Sequence, residues 1–309
     1  MSTPELSVIV PVYNGAAYLR ETLDALLAQT FKNFELVVVD DGSKDNSGDI
    51  VRSLNDGRIR LIRQENRGLC HTLNRAIQEA RAPLIARNDQ DDVSLPNRLE
   101  RQMTEFARHP GALAMYSHYT KFGRRRKWSN ADKQEASDGT VQEADPVKVG
   151  CMLGSTMIAR TQALREVGGY RQEFYPCDDY DLEMRLAETG KILLLRERLV
   201  AYRFHVSANT YRLFGVMQDK SRWVEENHRR RLRGEPEKVF EQFLTSQDLG
   251  RLARWHQRRL DAANLHMRVA GQRYLDGQDF AAGWHSGVSL ALNPMNIFRR
   301  VKRLVSGSN

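Results

Sequence analysis

The stretch Pro83-Leu84-Ile85-Ala86-Arg87-Asn88-Asp89-Gln90-Asp91-Asp92 decides how the chain is read. Its apolar start reads as a short buried strand. Three carboxylates then fall within four positions, where strand gives way to loop. Such groups repel one another unless a cation or ligand compensates. On an extended chain Asp89 and Asp91 share one side, because side chains there alternate with period two. Hard oxygen donors so placed suit Mg²⁺ or Mn²⁺ shared with substrate phosphates. For so short a motif the plain alternative is a solvated acidic turn, with Asp92 capping the next helix.

Working outward, the preceding chain repeats one unit. Leu6-Ser7-Val8-Ile9-Val10-Pro11 reads as a strand, Tyr13-Asn14-Gly15 as a turn, and residues 17–29 place Tyr18, Leu19, Leu23, Leu26 and Leu27 at helical spacing. Residues 34–39 form a second apolar run ending in Asp40-Asp41-Gly42-Ser43. A helix follows from about Asn46, with Ser43 or Asp45 as its N-cap. Residues 58–62 read as a third strand, and Gly68 precedes a helix over about 69–80. This β-α-β-α-β-α-β order predicts an α/β fold with a parallel sheet and right-handed crossovers. Ligands of such sheets bind beyond the carboxyl ends of the strands. Pro11-Val12-Tyr13-Asn14, Asp40-Asp41 and Asp89-Gln90-Asp91 all fall at that edge. No Walker-type loop and no GxGxxG follows the first strand, so backbone amides of those kinds do not cradle phosphate.

Beyond the cluster, a helix is expected from Leu95-Pro96 to about His109, and a strand over 112–118. The polar segment 123–144, opening on Arg124-Arg125-Arg126-Lys127, reads as a loop or lid. Strands are expected over 155–159, 192–195 and 199–204, with a short helix over 161–167. Cys177-Asp178-Asp179-Tyr180-Asp181 opens an amphipathic helix, where acidic residues also suit the helix dipole. After about residue 209 the pattern turns helical, including a hairpin around Asp276-Gly277. The expected division is 1–209 as an α/β domain and 210–309 as a basic helical region.

The chain of 309 residues is 41% hydrophobic and 28% charged, which fits a globular protein. No apolar run is long enough to span a bilayer, and the first residues carry no secretion signal. The three cysteines, Cys70, Cys151 and Cys177, are dispersed, which suits a reducing cytoplasm better than a disulfide framework. The net charge is +8, and residues 220–309 hold 17 Lys and Arg against 9 Asp and Glu. Residues 295–305 alternate Ile297, Phe298, Val301 and Leu304 with Arg299, Arg300, Lys302 and Arg303, a small basic amphipathic helix. The expectation is a cytoplasmic protein whose basic region meets the inner face of an anionic membrane or an acidic partner. A merely solvated face is the alternative, and no nucleic-acid partner is expected.

The motifs Ser7-Val8-Ile9-Val10-Pro11-Val12-Tyr13-Asn14, Glu35-Leu36-Val37-Val38-Val39-Asp40-Asp41-Gly42-Ser43, Asp89-Gln90-Asp91-Asp92 and Asp178-Asp179-Tyr180-Asp181-Leu182 together resemble the family 2 glycosyltransferases. The likeness covers about residues 5–206, in order. It implies a GT-A fold, a nucleotide-diphosphate sugar donor (a UDP-sugar foremost), a glycan or glycolipid acceptor, Mn²⁺ or Mg²⁺, and inversion. By the same resemblance, Pro11, Val12, Tyr13, Asn14 and Asp40 hold the nucleoside. Asp89 faces the ribose, Asp91 the metal-bound diphosphate, and Asp179 is the base, with Asp178 beside it. His205 matches a metal-ligand position of some members. Arg67 and Asn74 fall near the donor edge.

The chain departs from the family pattern in places. Asn88 and Gln90 stand where an apolar and a small residue are usual, which points to donor contact. Asp178 replaces the usual Glu. Gln218 precedes Arg222-Trp223 with one residue too many for the processive Gln-x-x-Arg-Trp signature, so transfer of a single sugar is expected, in bacterial surface polysaccharide or glycoconjugate synthesis. The helix dipole lowers the proton affinity of Asp179 and burial beside Asp178 raises it; the sequence leaves that balance open. Two other readings stand beside this one: a sugar-phosphate nucleotidyltransferase, and a nucleotide-sugar binding protein without catalysis.

Overall fold

The computed structural model describes residues 3–123, 138–204, 213–246 and 251–293, the side chains of 251–257 excepted. Most of the expected lid, His205 and the basic segment 295–305 lie outside the described residues.

The alternation of strands and helices is as expected through the fourth strand. β1 (Leu6–Val12), β2 (Phe34–Asp40), β3 (Ile59–Arg63) and β4 (Leu84–Arg87) are separated by α1 (Leu19–Leu27), α2 (Ser47–Ser53) and α3 (Leu69–Glu79). β1 pairs in parallel with β2 and β4, and β2 with β3. All seven residues of β1 and of β2 are buried. That explains their continuous apolar runs, since a parallel sheet is covered on both faces.

The two faces are legible residue by residue. Ile9, Val37 and Val39 point into a core with Leu73 and Ile77 of α3. Val8, Val10, Leu36 and Val38 point the other way, against Leu19, Leu23 and Leu26 of α1. Truncating one such leucine to alanine costs about 2–5 kcal/mol.

The later elements are β5 (Val93–Ser94), α4 (Arg98–Arg108), β6 (Ala112–Phe122), β7 (Val141–Glu143), α5 (Pro146–Val149), β8 (Ile158–Arg160), α6 (Thr161–Glu166), α7 (Asp178–Thr189) and β9 (Lys191–Arg203). The sheet runs β3-β2-β1-β4-β8-β6-β9-β5, with β7 also on β9, and β4–β8, β6–β8, β5–β9 and β7–β9 pair antiparallel. Several sequence expectations change here. The end of the polar stretch 123–144 is strand. The strand expected over 155–159 is a 3₁₀ turn, Gly154–Thr156, followed by β8. The two strands expected over 192–204 are one, β9, because each half finds a partner, β7 for the first and β5 for the second.

The chain divides into two compact units, the sheet with its helices up to Arg203, and the helices that follow. The second holds α8 (Phe214–Leu232), α9 (Phe240–Ser246), α10 (Arg251–Leu275) and α11 (Asp279–Leu292). α10 and α11 form the expected hairpin. Ser289 Oγ donates to the Ala263 carbonyl at 2.8 Å, and the Nδ1 atoms of His266 and His285 meet at 2.9 Å. Phe280 and Trp284 of α11 are 91% and 66% exposed. Among the described residues, no helix is long and apolar enough to cross a membrane.

Candidate active site

The nucleoside end is built by two loops that interlock. The amide of Asn14 donates to Ser43 Oγ, that of Gly15 to Ser47 Oγ, and that of Ala16 to Asp45 Oδ2, while Asn14 Oδ1 accepts from the Lys44 amide. Asn14 adopts φ 48, a left-handed conformation that Asn tolerates better than most residues. Its side chain is thus engaged in holding the loops together. Neither Ser43 nor Asp45 is the N-cap of α2; Asn46 holds that position without a side-chain bond, and Asp45 accepts from the Ser47 amide instead.

Pro11 and Val12 are buried. Val12 packs in the core and offers the site only backbone, its carbonyl accepting the Asp41 amide at 2.8 Å. Tyr13 is 43% exposed, with its ring available to a ligand. Asp40 is buried. Its Oδ1 accepts the Ser43 amide, whereas Oδ2 makes no hydrogen bond and lies 3.3 Å from Arg63 Nε. A buried acceptor without a hydrogen bond is costly and suits a ligand N–H. Asp41 next to it accepts from Gln64 Nε2 and from the amides of Arg67 and Gly68, shaping the loop after β3. The exposed Arg67 is placed by that bond.

After β4 the chain turns, with the Asp92 amide donating to the Asp89 carbonyl at 3.3 Å. Asp89 and Asp91 therefore flank a turn and do not share one side of an extended strand. Asn88, expected to touch the donor, is fully buried. Its Nδ2 donates to the carbonyls of Asp89 and Asp92, and its Oδ1 accepts from Ser94 Oγ and Arg98 Nη1. It holds the turn and leaves nothing for a donor. Gln90 exchanges two bonds with the backbone of Tyr13, at 2.9 and 3.2 Å. This approach requires Gly15, where a Cβ would stand 2.3 Å from Gln90 Oε1. Gln90 thus ties the nucleoside loop to the acidic turn.

Asp92 does not cap a helix either; Asn97 stands at the start of α4. The Asp92 carboxylate is buried, accepting from Ser155 Oγ at 2.5 Å and from the Arg203 amide at 2.9 Å. Arg203 also reaches the Asp91 carbonyl through Nε and Glu21 through Nη2.

The base end is a set of ions gathered around one buried guanidinium. Asp178 and Asp179 open α7, as expected. Arg87, at the end of β4, is 2% exposed. It donates to Asp89 through Nε and Nη2 at 2.8 and 3.2 Å, and to Asp179 through Nη1. Asp179 remains 28% exposed at its side chain, so a substrate can reach it. Burial raises the proton affinity of Asp179, Arg87 opposes this, Asp89 adds to it, and the net result lies above the usual carboxylate range. The balance left open by the sequence thus falls on the side of burial. Burial and then the Asp179 charge push Asp178 up to about 7, and its Oδ2 has no hydrogen-bond partner. Glu183, one turn on from Asp179, is likewise raised by burial, and its carboxylate accepts from the Met152 amide.

Burial raises Asp92 as well, followed by the charges of Asp91 and Asp89. The carboxyls of the turn crowd one another, and their oxygens are of the hard kind that suits a divalent cation. Among the described residues no three or more His, Cys, Asp or Glu gather as a metal site.

Several contributors escaped the sequence reading. Arg87 opens the acidic stretch, yet the sequence reading gives it no role. Ser155 reads as strand, yet it binds Asp92 and accepts the Asp89 amide at 3.0 Å. Asn74 does not face a donor: it pins the Tyr170 backbone through both ends of its amide. A local signal existed for Arg87 alone, since a cation directly before an acidic cluster invites pairing.

Comparison with known proteins bears on the family and the fold. The chain is 29% identical over 212 residues to an uncharacterized glycosyltransferase of Rickettsia prowazekii, covering 67% of this chain and 66% of that one. It spans 34% and 30% of the length of two further Rickettsia relatives. Over 98 residues, 31% of this chain and 33% of the other, it is 41% identical to glycosyltransferase GlyG of Streptococcus pneumoniae. The structure of S. aureus TarS 1-349 in complex with UDP-GlcNAc superposes with a TM-score of 0.57 at 18% identity, covering 96% of this chain and 92% of that one. The fold is thereby the GT-A fold, a central sheet flanked by helices and followed by a helical region. The model of glycosyl transferase family 2 matches residues 7–168, more than half of the chain, and the chain belongs to that family.

Proposed function

We propose that the chain transfers one sugar from a nucleoside-diphosphate sugar to an acceptor hydroxyl with inversion. The observation that carries this reading is the placement of Asp179. Its partly open carboxylate is held by the same guanidinium as Asp89 of the donor turn. A sugar hydroxyl is a weak nucleophile and must lose its proton as the new bond forms. Asp179, with proton affinity raised by burial, takes it. One displacement from the face opposite the leaving diphosphate inverts the anomeric carbon.

At the other end the unbonded Asp40 Oδ2 accepts a nucleobase N–H, and Tyr13 offers its ring face. Asp89 takes the ribose side, and Asp91 holds Mn²⁺ or Mg²⁺ with the diphosphate. Such a cation neutralises charge gathering on the leaving group. The proposed donor is a UDP-sugar, a choice supported by the nucleotide sugar in the TarS complex. The acceptor is a glycan or glycolipid of a bacterial surface polysaccharide or glycoconjugate, met on the cytoplasmic face of the membrane. Phe280 and Trp284, together with the excess of basic residues in 220–309, support that last contact.

A panel of nucleotide sugars, with and without Mn²⁺, tests the donor by thermal shift and donor hydrolysis. Asp179→Asn is expected to abolish transfer while nucleotide binding persists; transfer at the parental rate removes the base assignment. Sedimentation with anionic liposomes is expected at low salt and reduced at high salt, and its absence at both removes the membrane contact.

A further inference from the structure

Arg87 is among the largest fully buried side chains of the described residues, an uncommon place for a cation. Its fork spans two carboxylates that belong to different parts of the proposed reaction. Nε and Nη2 bind Asp89 of the donor turn, and Nη1 binds Asp179 at the start of α7. Nη1 also donates to the Tyr170 hydroxyl at 3.2 Å, and the guanidinium carbon lies 5.4 Å from the Tyr170 ring centroid. Tyr170 is itself fixed by Asn74.

The remaining side is closed by Gly154. A Cβ at that position would stand 2.6 Å from both Cζ and Nη1 of Arg87. The guanidinium fills the space that this glycine leaves and cannot turn toward one carboxylate without loosening its hold on the other. Two negative groups thus share one positive charge in a site of low polarisability, where such interactions are strong.

We infer that Arg87 is a positioning residue that couples the donor turn to the base. Through its shared fork, a ligand engaging Asp89 alters how Asp179 is held, and the state of Asp179 alters how Asp89 meets the donor. This rests on the reading of Asp179 as the base. Coupling between two sites is reciprocal, so it is measurable in binding without turnover.

The test is a double-mutant cycle on UDP affinity by isothermal titration, using the full chain, Arg87→Met, Asp179→Asn and the pair. Asp179→Asn is expected to change UDP affinity by a factor that differs about 5-fold or more between the chain with Arg87 and the Arg87→Met chain. Factors that multiply to within about 2-fold overturn the inference. The pH profile of kcat/KM supplies a second readout. Arg87→Met is expected to move the acidic limb up by about 1 pH unit or more, because an adjacent cation favours the carboxylate. Arg87→Lys is expected to restore most of that shift.

Gly154→Ala displaces the guanidinium without changing any charge, and it should move the limb the same way. If Arg87→Met does not fold, Gly154→Ala and Arg87→Lys take its place in the cycle. A purely structural Arg87 lowers the rate alike at every pH, and that result removes the inference. Full transfer by Asp179→Asn strikes the base reading itself. An inactive Asp179→Asn with an additive cycle and an unmoved limb strikes the coupling alone.

Discussion

The two ends of the site are built from different materials. The nucleoside end is held largely by backbone dipoles: the amides of residues 14–16 meet side-chain oxygens of residues 43–47, the buried carboxylates Asp40 and Asp41 accept from the amides of Ser43, Arg67 and Gly68, and Tyr13 stands half in solvent. The base end is made of ions around one buried cation, with Arg87 between the partly open Asp89 and Asp179 and the buried Asp178 alongside. Dipolar contacts are individually modest and little affected by pH. Buried charges depend strongly on their partners, and removing one leaves another uncompensated. Recognition can therefore drift by small steps at the first end, while the second tolerates few changes.

The sharpest way to break this contrast is Asp179→Asn, expected to lower kcat by about 10²–10⁴-fold. A loss no greater than that from a change at Tyr13 would dissolve the distinction. Asp178→Asn comes next and concerns stability. The folded chain raises the Asp178 pKa from 3.8 to about 7. The folded state therefore keeps a proton that the unfolded state has lost, and stability falls as pH rises between those values. Asp178→Asn removes that decline, so it should be more stable than the parent at pH 8 by on the order of a few kcal/mol, and less advantaged at pH 4. Urea unfolding at the two pH values measures it, and an equal difference at both would show that the carboxyl is not titrating as described.

At the dipolar end, Asp40→Asn exchanges an unbonded acceptor for an amide and is expected to weaken UDP binding about 10-fold or more, by titration calorimetry. Unchanged affinity would move the nucleobase elsewhere. Tyr13→Ala is the smallest of the series. Loss of a stacking surface lowers nucleotide affinity by about 1 kcal/mol or somewhat more, with little change in melting temperature because the ring is largely exposed.

The sequence was most informative where one local pattern determined the outcome. β1, β2 and β4 are legible because each is a largely apolar run buried in the sheet, while β3, with Arg60 and Arg63 in it, is a partly exposed edge strand; the polar turns at their ends fall on one edge by topology alone. β8 and β9 were less so. Their pairings are antiparallel and their partners distant, so the chain near Arg196 looked like a break and is continuous strand. Asn88 illustrates a further limit. A polar residue beside an acidic motif suggests a ligand contact, and only its full burial with Ser94 and Arg98 assigns it to the turn. Arg87 depends on Asp179, which lies 92 positions away, and on the missing side chain at Gly154. A cation before an acidic cluster signals the pairing with Asp89, but no local pattern encodes the one with Asp179.

Arg203 has a practical consequence. It is the last residue of β9, and its amide, its Nε and its Nη2 are stitched to Asp92, the Asp91 carbonyl and Glu21. The sheet's exit is thus fastened to the turn that faces the donor. A chain shortened to end before this arginine would lose more than a frayed strand: Asp92 would keep only Ser155, and the acidic turn would slacken. Truncation, grafting and fusion of other C-terminal regions therefore have a natural limit just after residue 203. A catalytic unit exchanged between relatives should travel with its arginine attached.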